Sequence, residues 1–358
     1  MLKIAIIGCG KQADAHASQI CVLPNCKLVA ACDSEELMAR QLAERFNIDR
    51  HFKNVQEMLE ATRPEIVHIT TPPQSHFEIG KMCLDAGCHV FFEKPFTLNF
   101  QQASGIIAHS VDKRLKITVG HNNQFNHATR RMRELVQSGF LGGPPVHMES
   151  VWSYDLGDKI FAKAMLSDTT HWVRRLPGRL LHNIISHGIG KIAEFLNDDD
   201  PVVKAHGFYS PLLKSINETS IVDELRVIIH AKEGPSAYFT FSSQIFPRQQ
   251  YFKVFGLKNS IFVDDMHQTL ITVCRTNYKS YMNHFIPPLV YGKRYWNNSW
   301  HNIKKFIKKD FHFEAGRRIL IESFYQSVQE GTPLPLSYKE ILITAKIMDS
   351  IFSQIYRK

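Results

Sequence analysis

Three small residues near the start of the chain constrain its fold more than any other feature. Gly8, Gly10 and Ala13 follow the apolar run Leu2–Ile7 and open a polar stretch with helical spacing. In a strand–turn–helix unit, the first glycine permits a tight turn, the second leaves room for a pyrophosphate, and the small third residue lets the helix pack on the strand. The helix start adds unbonded N–H groups and the positive end of a dipole. We therefore predict a dinucleotide site, with an ordinary structural turn as the alternative.

An acidic residue bears on which dinucleotide would bind. Asp33 ends the second apolar run, 20 residues after Ala13. A carboxylate in this position accepts hydrogen bonds from the adenosine ribose and repels a 2′-phosphate. NAD is therefore the predicted cofactor, and NADP is the less favoured alternative, which the basic residues Lys11 and Arg40 leave open.

The order of β-rich and helical patterns predicts two domains. Residues 1–121 alternate short β-rich runs with helical stretches, which predicts a parallel sheet covered by helices. Longer alternating runs follow, as in an antiparallel sheet. The predicted fold class is α/β, with an N-terminal Rossmann dinucleotide-binding domain of residues 1–121 and a C-terminal α+β domain of residues 122–358 with a largely antiparallel sheet. The helical patterns that end the sequence belong to this second domain or pack back on the first.

Composition indicates a cytoplasmic protein. No stretch approaches the roughly 18 consecutive apolar residues that cross a bilayer, and the first strand starts by Lys3 without the features of a signal peptide. The seven cysteines include no C-x-x-C pair, so neither a disulfide framework nor a zinc site is expected. No H-E-x-x-H or similar cluster is present, and we predict no metal.

The net charge of +9 is concentrated in one segment. Eight Lys and Arg and no Asp or Glu lie between Val273 and Lys309, so the rest of the chain is close to neutral. A nucleic-acid-binding surface is therefore not predicted. We call residues 273–310 the basic insert, which dehydrogenase chemistry does not need.

Within the basic insert, helical spacing would align Trp296, Trp300, Ile303 and Ile307 in one apolar stripe flanked by lysines. Such a helix most often packs its stripe on its own domain. Alternatively, residues 293–309 lie on an anionic membrane surface, with tryptophan at the headgroups, or close over the active site to hold a phosphorylated or lipid-linked sugar.

Further motifs resemble one known family over essentially the whole chain. The stretches TTPPQSH (residues 70–76), AGCHVFFEKPFT (86–97) and VGHNNQFN (119–126), together with the glycine turn, resemble the Gfo/Idh/MocA oxidoreductases, named for glucose–fructose oxidoreductase and inositol dehydrogenase. The resemblance implies that Lys94 reaches the reacting hydroxyl or carbonyl beside the nicotinamide, often after a cis peptide before Pro95. The residues predicted to bind the cofactor are Gly8, Gly10, Lys11, Gln12, Ala13, Asp33, Thr71, Pro72, His76, Glu93, Lys94 and Asn122.

The family usually carries a second catalytic motif, D-x-x-x-H, on a helix of the substrate domain. Asn183 and His187 occupy its two positions here, within a single predicted helix from Arg179 to Leu196. A spacing of four would place both on one helix face. Because Asn183 replaces the acid of the motif and cannot take a proton, more of the acid–base chemistry is expected from His187 and Lys94. The alternative for His187 is a histidine that only packs in the core.

The resemblance implies hydride transfer between NAD and a secondary alcohol or ketone of a sugar, sugar acid or nucleotide sugar. Residues 171–179, which begin just before the motif, combine aromatic and cationic side chains that would suit such a substrate, although arginines often only solvate a loop. A redox-neutral enzyme with tightly held NAD and a non-catalytic NAD-binding regulator remain alternatives. Family members often form homo-oligomers through the second sheet, and the strand AYFTFSSQIF (residues 237–246) could serve that purpose. The predicted substrate residues are His171, Trp172, Arg174, Arg175 and Arg179.

Overall fold

The computed structural model describes residues 1–156, 165–308, 311 and 315–356. The chain forms two compact units. The first unit comprises Met1–Asn122 and Arg317–Lys346, and the second comprises Asn123–Gly316 and Ile347–Lys358. Within the described residues, no helix combines the length and the apolar character needed to cross a membrane.

Six parallel strands form the sheet of the first unit, in the order β3-β2-β1-β4-β5-β6. The central strands β4 and β5 are apolar almost throughout because helices cover both faces of a parallel sheet. This arrangement confirms the predicted Rossmann-type domain. The strands are Leu2–Ile7 (β1), Cys26–Cys32 (β2), His51–Phe52 (β3), Ile66–Ile69 (β4), His89–Phe92 (β5) and Ile117–Val119 (β6).

The strand order reverses between β1 and β4, and this reversal decides where a ligand can lie. The chain runs outward from β1 through β2 to β3 and then returns to place β4 beside β1. In open parallel sheets, ligands bind at the carboxyl ends of the strands where the order reverses. The helices between these strands are Lys11–Ile20 (α1), Glu36–Phe46 (α2), Val55–Thr62 (α3), His76–Asp85 (α4) and Phe100–Asp112 (α5).

Seven strands form the sheet of the second unit, in the order β13-β12-β11-β7-β10-β9-β8. All neighbouring pairs are antiparallel except β7 and β10, which confirms a largely antiparallel sheet. The sequence patterns did not single out β8 and β9. Of these two, β8 is an edge strand with mostly exposed side chains. The strands are His147–Ser153 (β7), Val202–Phe208 (β8), Glu224–His230 (β9), Ser236–Ser242 (β10), Gln250–Phe255 (β11), Asn259–Asp264 (β12) and Thr269–Cys274 (β13).

The helix predicted from Arg179 to Leu196 is two helices in the structure. The first ends at Ile184, the second begins at Ser186, and Ile185 lies between them. The helices from residue 127 onward are His127–Gln137 (α6), Arg179–Ile184 (α7), Ser186–Ala193 (α8), Pro211–Ser215 (α9), Met282–Ile307 (α10), Ala315–Glu330 (α11) and Tyr338–Ile355 (α12).

Candidate active site

The glycine turn has the geometry that its sequence predicts. Gly8 has a φ of +90°, and a Cβ there would lie 2.6 Å from the Cγ2 and backbone N of Thr71, so a side chain cannot be accommodated. A Cβ on Gly10 would meet nothing within 4 Å, which leaves open space over the turn. Ala13 is fully buried between α1 and the sheet. The first and third positions therefore serve packing, and the second leaves the backbone accessible.

The start of α1 is available to an anion. Gly10 is its N-cap and no side chain caps it, so the first N–H groups of the helix can bond a phosphate. Lys11 is exposed at this end of the helix. Gln12 is held in place, since its Oε1 accepts a hydrogen bond of 3.0 Å from Nη2 of Arg317.

Asp33 is fixed beside the glycine turn by backbone N–H groups. Its Oδ2 accepts a hydrogen bond of 2.6 Å from the N–H of Cys9, and its Oδ1 accepts one of 2.9 Å from the N–H of Glu35. The side chain remains half-buried. Because a carboxylate oxygen has two lone pairs, Oδ2 can still accept a hydrogen bond from a ribose hydroxyl, whereas Oδ1 also accepts a long one of 3.5 Å from the hydroxyl of Ser34.

The loop after β4 closes the other side of the turn. The hydroxyl of Thr70 donates to the carbonyl of Gly8 at 2.5 Å. His76 is fully buried, with Nδ1 2.9 Å from the carbonyl oxygen of Phe96 and Nε2 2.8 Å from that of Thr71. Burial lowers the pKa of His76, although these contacts oppose the shift. His76 thus connects the loop to the segment after Lys94, while Pro72 is exposed.

Glu93 and Lys94 follow β5 directly and interact through the backbone. The Oε2 of Glu93 accepts a hydrogen bond of 2.9 Å from the N–H of Lys94, and the peptide bond from Lys94 to Pro95 is cis, as the resemblance implied. Lys94 is half-buried. Burial lowers the pKa of its ammonium group, and the charge of Arg317 lowers it further, whereas Glu93 raises it.

Sequence reasoning missed a buried chain of polar side chains that holds Glu93. The Oε1 of Glu93 lies 2.8 Å from His16 Nε2, His16 Nδ1 lies 2.7 Å from His68 Nδ1, and His68 Nε2 lies 2.8 Å from the hydroxyl of Tyr325. All four side chains are buried. In the sequence, only the spacing of three residues from Ala13 indicates that His16 faces the sheet. Nothing in the sequence around His68 or Tyr325 indicates that their side chains bond each other.

The charge state of this chain follows from its surroundings. Burial alone would raise the pKa of Glu93, but the hydrogen bond and charge of His16, with the charges of Arg317 and Lys94, hold it well below its usual range. Burial keeps the pKa of His68 well below that of an ordinary histidine. Glu93 is therefore a carboxylate. Its Oε1 accepts a hydrogen bond from His16 Nε2–H, and its Oε2 fixes the backbone from which Lys94 projects.

The end of β6 completes the surroundings of Glu93. A Cβ on Gly120 would lie 3.2 Å from the carboxyl group of Glu93, so glycine leaves the space that this group occupies. Burial lowers the pKa of the neighbouring His121 to about 4, and this imidazole is neutral at physiological pH. Asn122 begins a short 3₁₀ turn and is half-buried. The predicted cofactor residues of the first unit thus cluster at the carboxyl ends of β1, β2, β4, β5 and β6.

Asn183 and His187 lie on consecutive short helices, which corrects the prediction of one continuous helix. His187 is 8% exposed, and its ring stacks on Trp152 of β7, with centroids 5.5 Å apart and planes at 14°. Close approach of α8 to the sheet permits this stacking, because a Cβ on Gly188 would lie 2.6 Å from Trp152. The interruption is slight, because Ile185 keeps helical φ and ψ angles.

Among the predicted substrate residues, Arg174 forms hydrogen bonds and an ion pair with other residues of the second unit. Its Nη2 forms an ion pair with Glu218 at 2.8 Å, its Nη1 donates to Ser220, and its other donors bond the carbonyls of Met165 and Leu166. These bonds indicate that Arg174 braces the loop, which counts against its predicted contact with substrate.

The other predicted substrate residues have different surroundings. The guanidinium group of Arg179 lies over the ring of Tyr356, 4.7 Å from its centroid. His171 caps the 3₁₀ turn Trp172–Arg175 and stacks on Trp172. Arg175 is exposed. Arg175 and the His171–Trp172 pair therefore remain the best candidates for contact with a ligand.

Comparison with known proteins shows which family residues 2–121 resemble. Residues 2–121 match the model of the oxidoreductase family with an NAD-binding Rossmann fold that is abbreviated GFO_IDH_MocA. The match therefore identifies residues 2–121 as an NAD-binding Rossmann domain. The match covers the glycine turn, Asp33 and the Glu93–Lys94 segment.

Two characterised relatives and one solved structure extend the comparison. The D-glucoside 3-dehydrogenase of Escherichia coli is 38% identical over 39% of this chain, a stretch that spans only 40% of that enzyme. The myo-inositol 2-dehydrogenase of Thermotoga maritima is 24% identical over 76% of this chain and 78% of that enzyme. The structure of UDP-N-acetylglucosamine 3-dehydrogenase from Acidithiobacillus ferrooxidans covers 99% of this chain and 97% of its own, at 18% identity and a TM-score of 0.75. This last likeness shows a common fold.

Proposed function

We propose that the whole chain is an oxidoreductase of the Gfo/Idh/MocA family, which its residues 2–121 match, and that it transfers a hydride between NAD and a secondary alcohol or ketone of a sugar, sugar acid or nucleotide sugar. One observation carries the proposal. The open glycine turn, the fixed carboxylate of Asp33 and the Glu93–Lys94 segment all lie at the carboxyl end of the same sheet. Cofactor-binding groups and a reactive amine thereby share one edge of the first unit.

The residues of the turn fit NAD. Space over Gly10 admits a pyrophosphate, the uncapped start of α1 supplies N–H donors, and Asp33 offers acceptors to the ribose. NAD, when bound, supplies the hydride acceptor or donor. The ammonium group of Lys94 stabilises negative charge on the reacting oxygen, and its position is maintained through the backbone bond to Glu93.

Proton transfer falls to His187 in this proposal. Histidine exchanges protons near neutral pH, and the stacking on Trp152 orients its ring. Asn183 can hold a substrate hydroxyl by hydrogen bonding but cannot remove its proton. Sugar-type substrates are supported by the named activities of the relatives and by the aromatic and cationic groups of His171, Trp172 and Arg175.

The direct test is incubation with NAD and a panel of sugars, uronic acids and nucleotide sugars while NADH absorbance is followed. We expect NADH to form with at least one member of the panel, and the same preparation should reduce the corresponding ketone with NADH. Turnover of a sugar without any net NADH, by protein that retains NAD through purification, would instead indicate a redox-neutral reaction. Binding of NAD without turnover of any panel member would argue against the proposed substrate class.

Asp33 is expected to set the preference for NAD. Asp33→Ala should weaken NAD binding by roughly tenfold or more, because hydrogen bonds to a charged group are lost, while NADP binding stays equal or improves. Titration calorimetry of both dinucleotides measures the effect. Asp49→Ala removes an exposed carboxylate of the same unit, paired with Lys27, and is the matched control. Parallel losses of NAD and NADP affinity in Asp33→Ala would mean that the carboxylate only supports the turn.

A cytoplasmic homo-oligomer is also part of the proposal. The second sheet has apolar side chains on its outward face, with Ile228 and Tyr238 in register on β9 and β10 and both about half exposed. Exposed apolar patches on a sheet commonly mark a surface that pairs with another copy. This surface is separate from the basic insert.

A further inference from the structure

The helix α10 of the basic insert has an apolar face directed into solvent. Five apolar side chains between Leu289 and Ile307 form one row along this helix, and each is 46–74% exposed. The structure thus contradicts the expectation that the stripe packs on its own domain. We define the outer row as Leu289, Trp296, Trp300, Ile303 and Ile307.

The opposite side of α10 holds the helix to its own sheet. Asn298 is the buried residue of this helix, and its side chain accepts a bond of 3.0 Å from the N–H of Leu270 and donates one of 2.9 Å to the carbonyl of Leu270 on β13. Asn302 donates to the carbonyl of His267, and His301 stacks on His127 of α6. These contacts fix which face of the helix points outward.

Helical geometry places the outer row directly opposite Asn298. At about 100° per residue, the other four members lie within about 40° of Leu289, whereas Asn298 lies about 180° away. From Leu289 to Ile307 the row is about 27 Å long at 1.5 Å per residue. An apolar row of this length, in which the ring centroids of the two tryptophans are 6.1 Å apart, is unusual for a surface that faces only water.

Charge beside the outer row selects its partner. Lys293, Lys304 and Lys308 lie on one side of it and are exposed, and no Asp or Glu occurs between Val273 and Lys308. Lys309 and Asp310 lie outside the described residues. A second copy of the same face would bring lysines against lysines, which disfavours self-association. An anionic surface with an apolar layer beneath it complements both features, since tryptophan prefers the headgroup level and lysine the anionic headgroups.

We propose that the outer row of α10 and its flanking lysines dock the protein on the surface of a membrane that contains anionic lipids. The helix lies in the plane of the interface, with the outer row among the headgroups and acyl ends and Asn298 still bonded to the sheet. This inference does not depend on the dehydrogenase activity.

Sedimentation with vesicles of equal parts phosphatidylcholine and phosphatidylglycerol tests the proposal. Wild-type protein should pellet at low salt and be released at high salt, and it should not pellet with phosphatidylcholine alone. The triple variant Lys293→Gln, Lys304→Gln, Lys308→Gln should bind roughly 100-fold more weakly. The matched control, Lys204→Gln, Lys214→Gln, Lys232→Gln, removes the same charge from exposed positions elsewhere in the second unit and should bind like wild type.

The double variant Trp296→Gln, Trp300→Gln tests the apolar part. Both tryptophans are exposed, so their replacement should leave the fold intact by circular dichroism while vesicle binding and the blue shift of tryptophan fluorescence are lost. Absence of wild-type binding at low salt would overturn the proposal, as would equal weakening by the control lysine variant. A change of oligomeric mass in the tryptophan variant without vesicles would show that the row is a protein interface instead.

Discussion

Replacing Lys94 with alanine is expected to lower kcat by roughly 10²–10⁴-fold while NAD affinity stays near that of the wild type. The loss removes the ammonium group that stabilises charge on the reacting oxygen. The backbone N–H that bonds Glu93 is retained in the variant, so the buried chain from Glu93 to Tyr325 should persist. Steady-state kinetics with the best substrate of the panel and calorimetric titration of NAD together measure this result.

His187→Ala is the companion to Lys94→Ala and should give a decrease of the same order. Because His187 is buried and stacks on Trp152, circular dichroism and thermal unfolding must accompany its kinetics. Lys53→Ala, at an exposed position of the first unit, is the matched control for Lys94 and should leave kcat unchanged. Normal kcat in Lys94→Ala would remove Lys94 from the chemistry, and an unfolded His187→Ala would identify His187 as a core histidine.

Breaking the buried ion pair of the second unit should cost about 3–5 kcal/mol of stability. Lys191 and Asp265 are 2.5 Å apart and almost fully buried, and Lys191 also bonds the hydroxyl of Thr129. In Lys191→Met, the carboxylate of Asp265 would remain in the interior without its counter-charge. Urea unfolding followed by the fluorescence of the second unit, which holds all four tryptophans, measures the change.

A double variant distinguishes the loss of a pair from the loss of packing. Lys191→Met with Asp265→Leu removes both charges, and its stability should recover most of the loss, since apolar residues of similar volume often replace a buried pair at little cost. A double variant as unstable as Lys191→Met would show that the lysine matters through its shape. Lys253→Met breaks the more exposed pair with Glu149 and should cost at most about 1 kcal/mol.

The pH dependence of Lys191→Met gives a second check on the same pair. Burial raises the pKa of Asp265 even beside Lys191, which acts to lower it. Without the lysine, the pKa of Asp265 in the folded protein should rise further above its pKa in the unfolded chain. Stability of the variant should therefore increase as the pH falls from neutrality toward the ordinary pKa of aspartate, so the deficit relative to wild type narrows in acid.

Local sequence patterns determined the cofactor domain. The roles of Gly8, Gly10 and Ala13 depend on the backbone of one strand–turn–helix unit, and that unit is contiguous in sequence. The alternation of apolar runs and helical stretches likewise predicted the parallel sheet, because the periodicities of strands and helices are visible within a few residues. Family resemblance added Lys94 and His187, whose roles in catalysis remain predictions.

Only the tertiary structure decided which polar groups meet and which faces are covered. Glu93 and His16 are 77 residues apart, and His68 and Tyr325 are 257 apart, so no local pattern could pair them. The stripe of α10 was visible in the sequence, but its direction depended on the bonds of Asn298 to β13. Periodicity shows that a helix has an apolar face, whereas the partner of that face is set by contacts between residues distant in the chain.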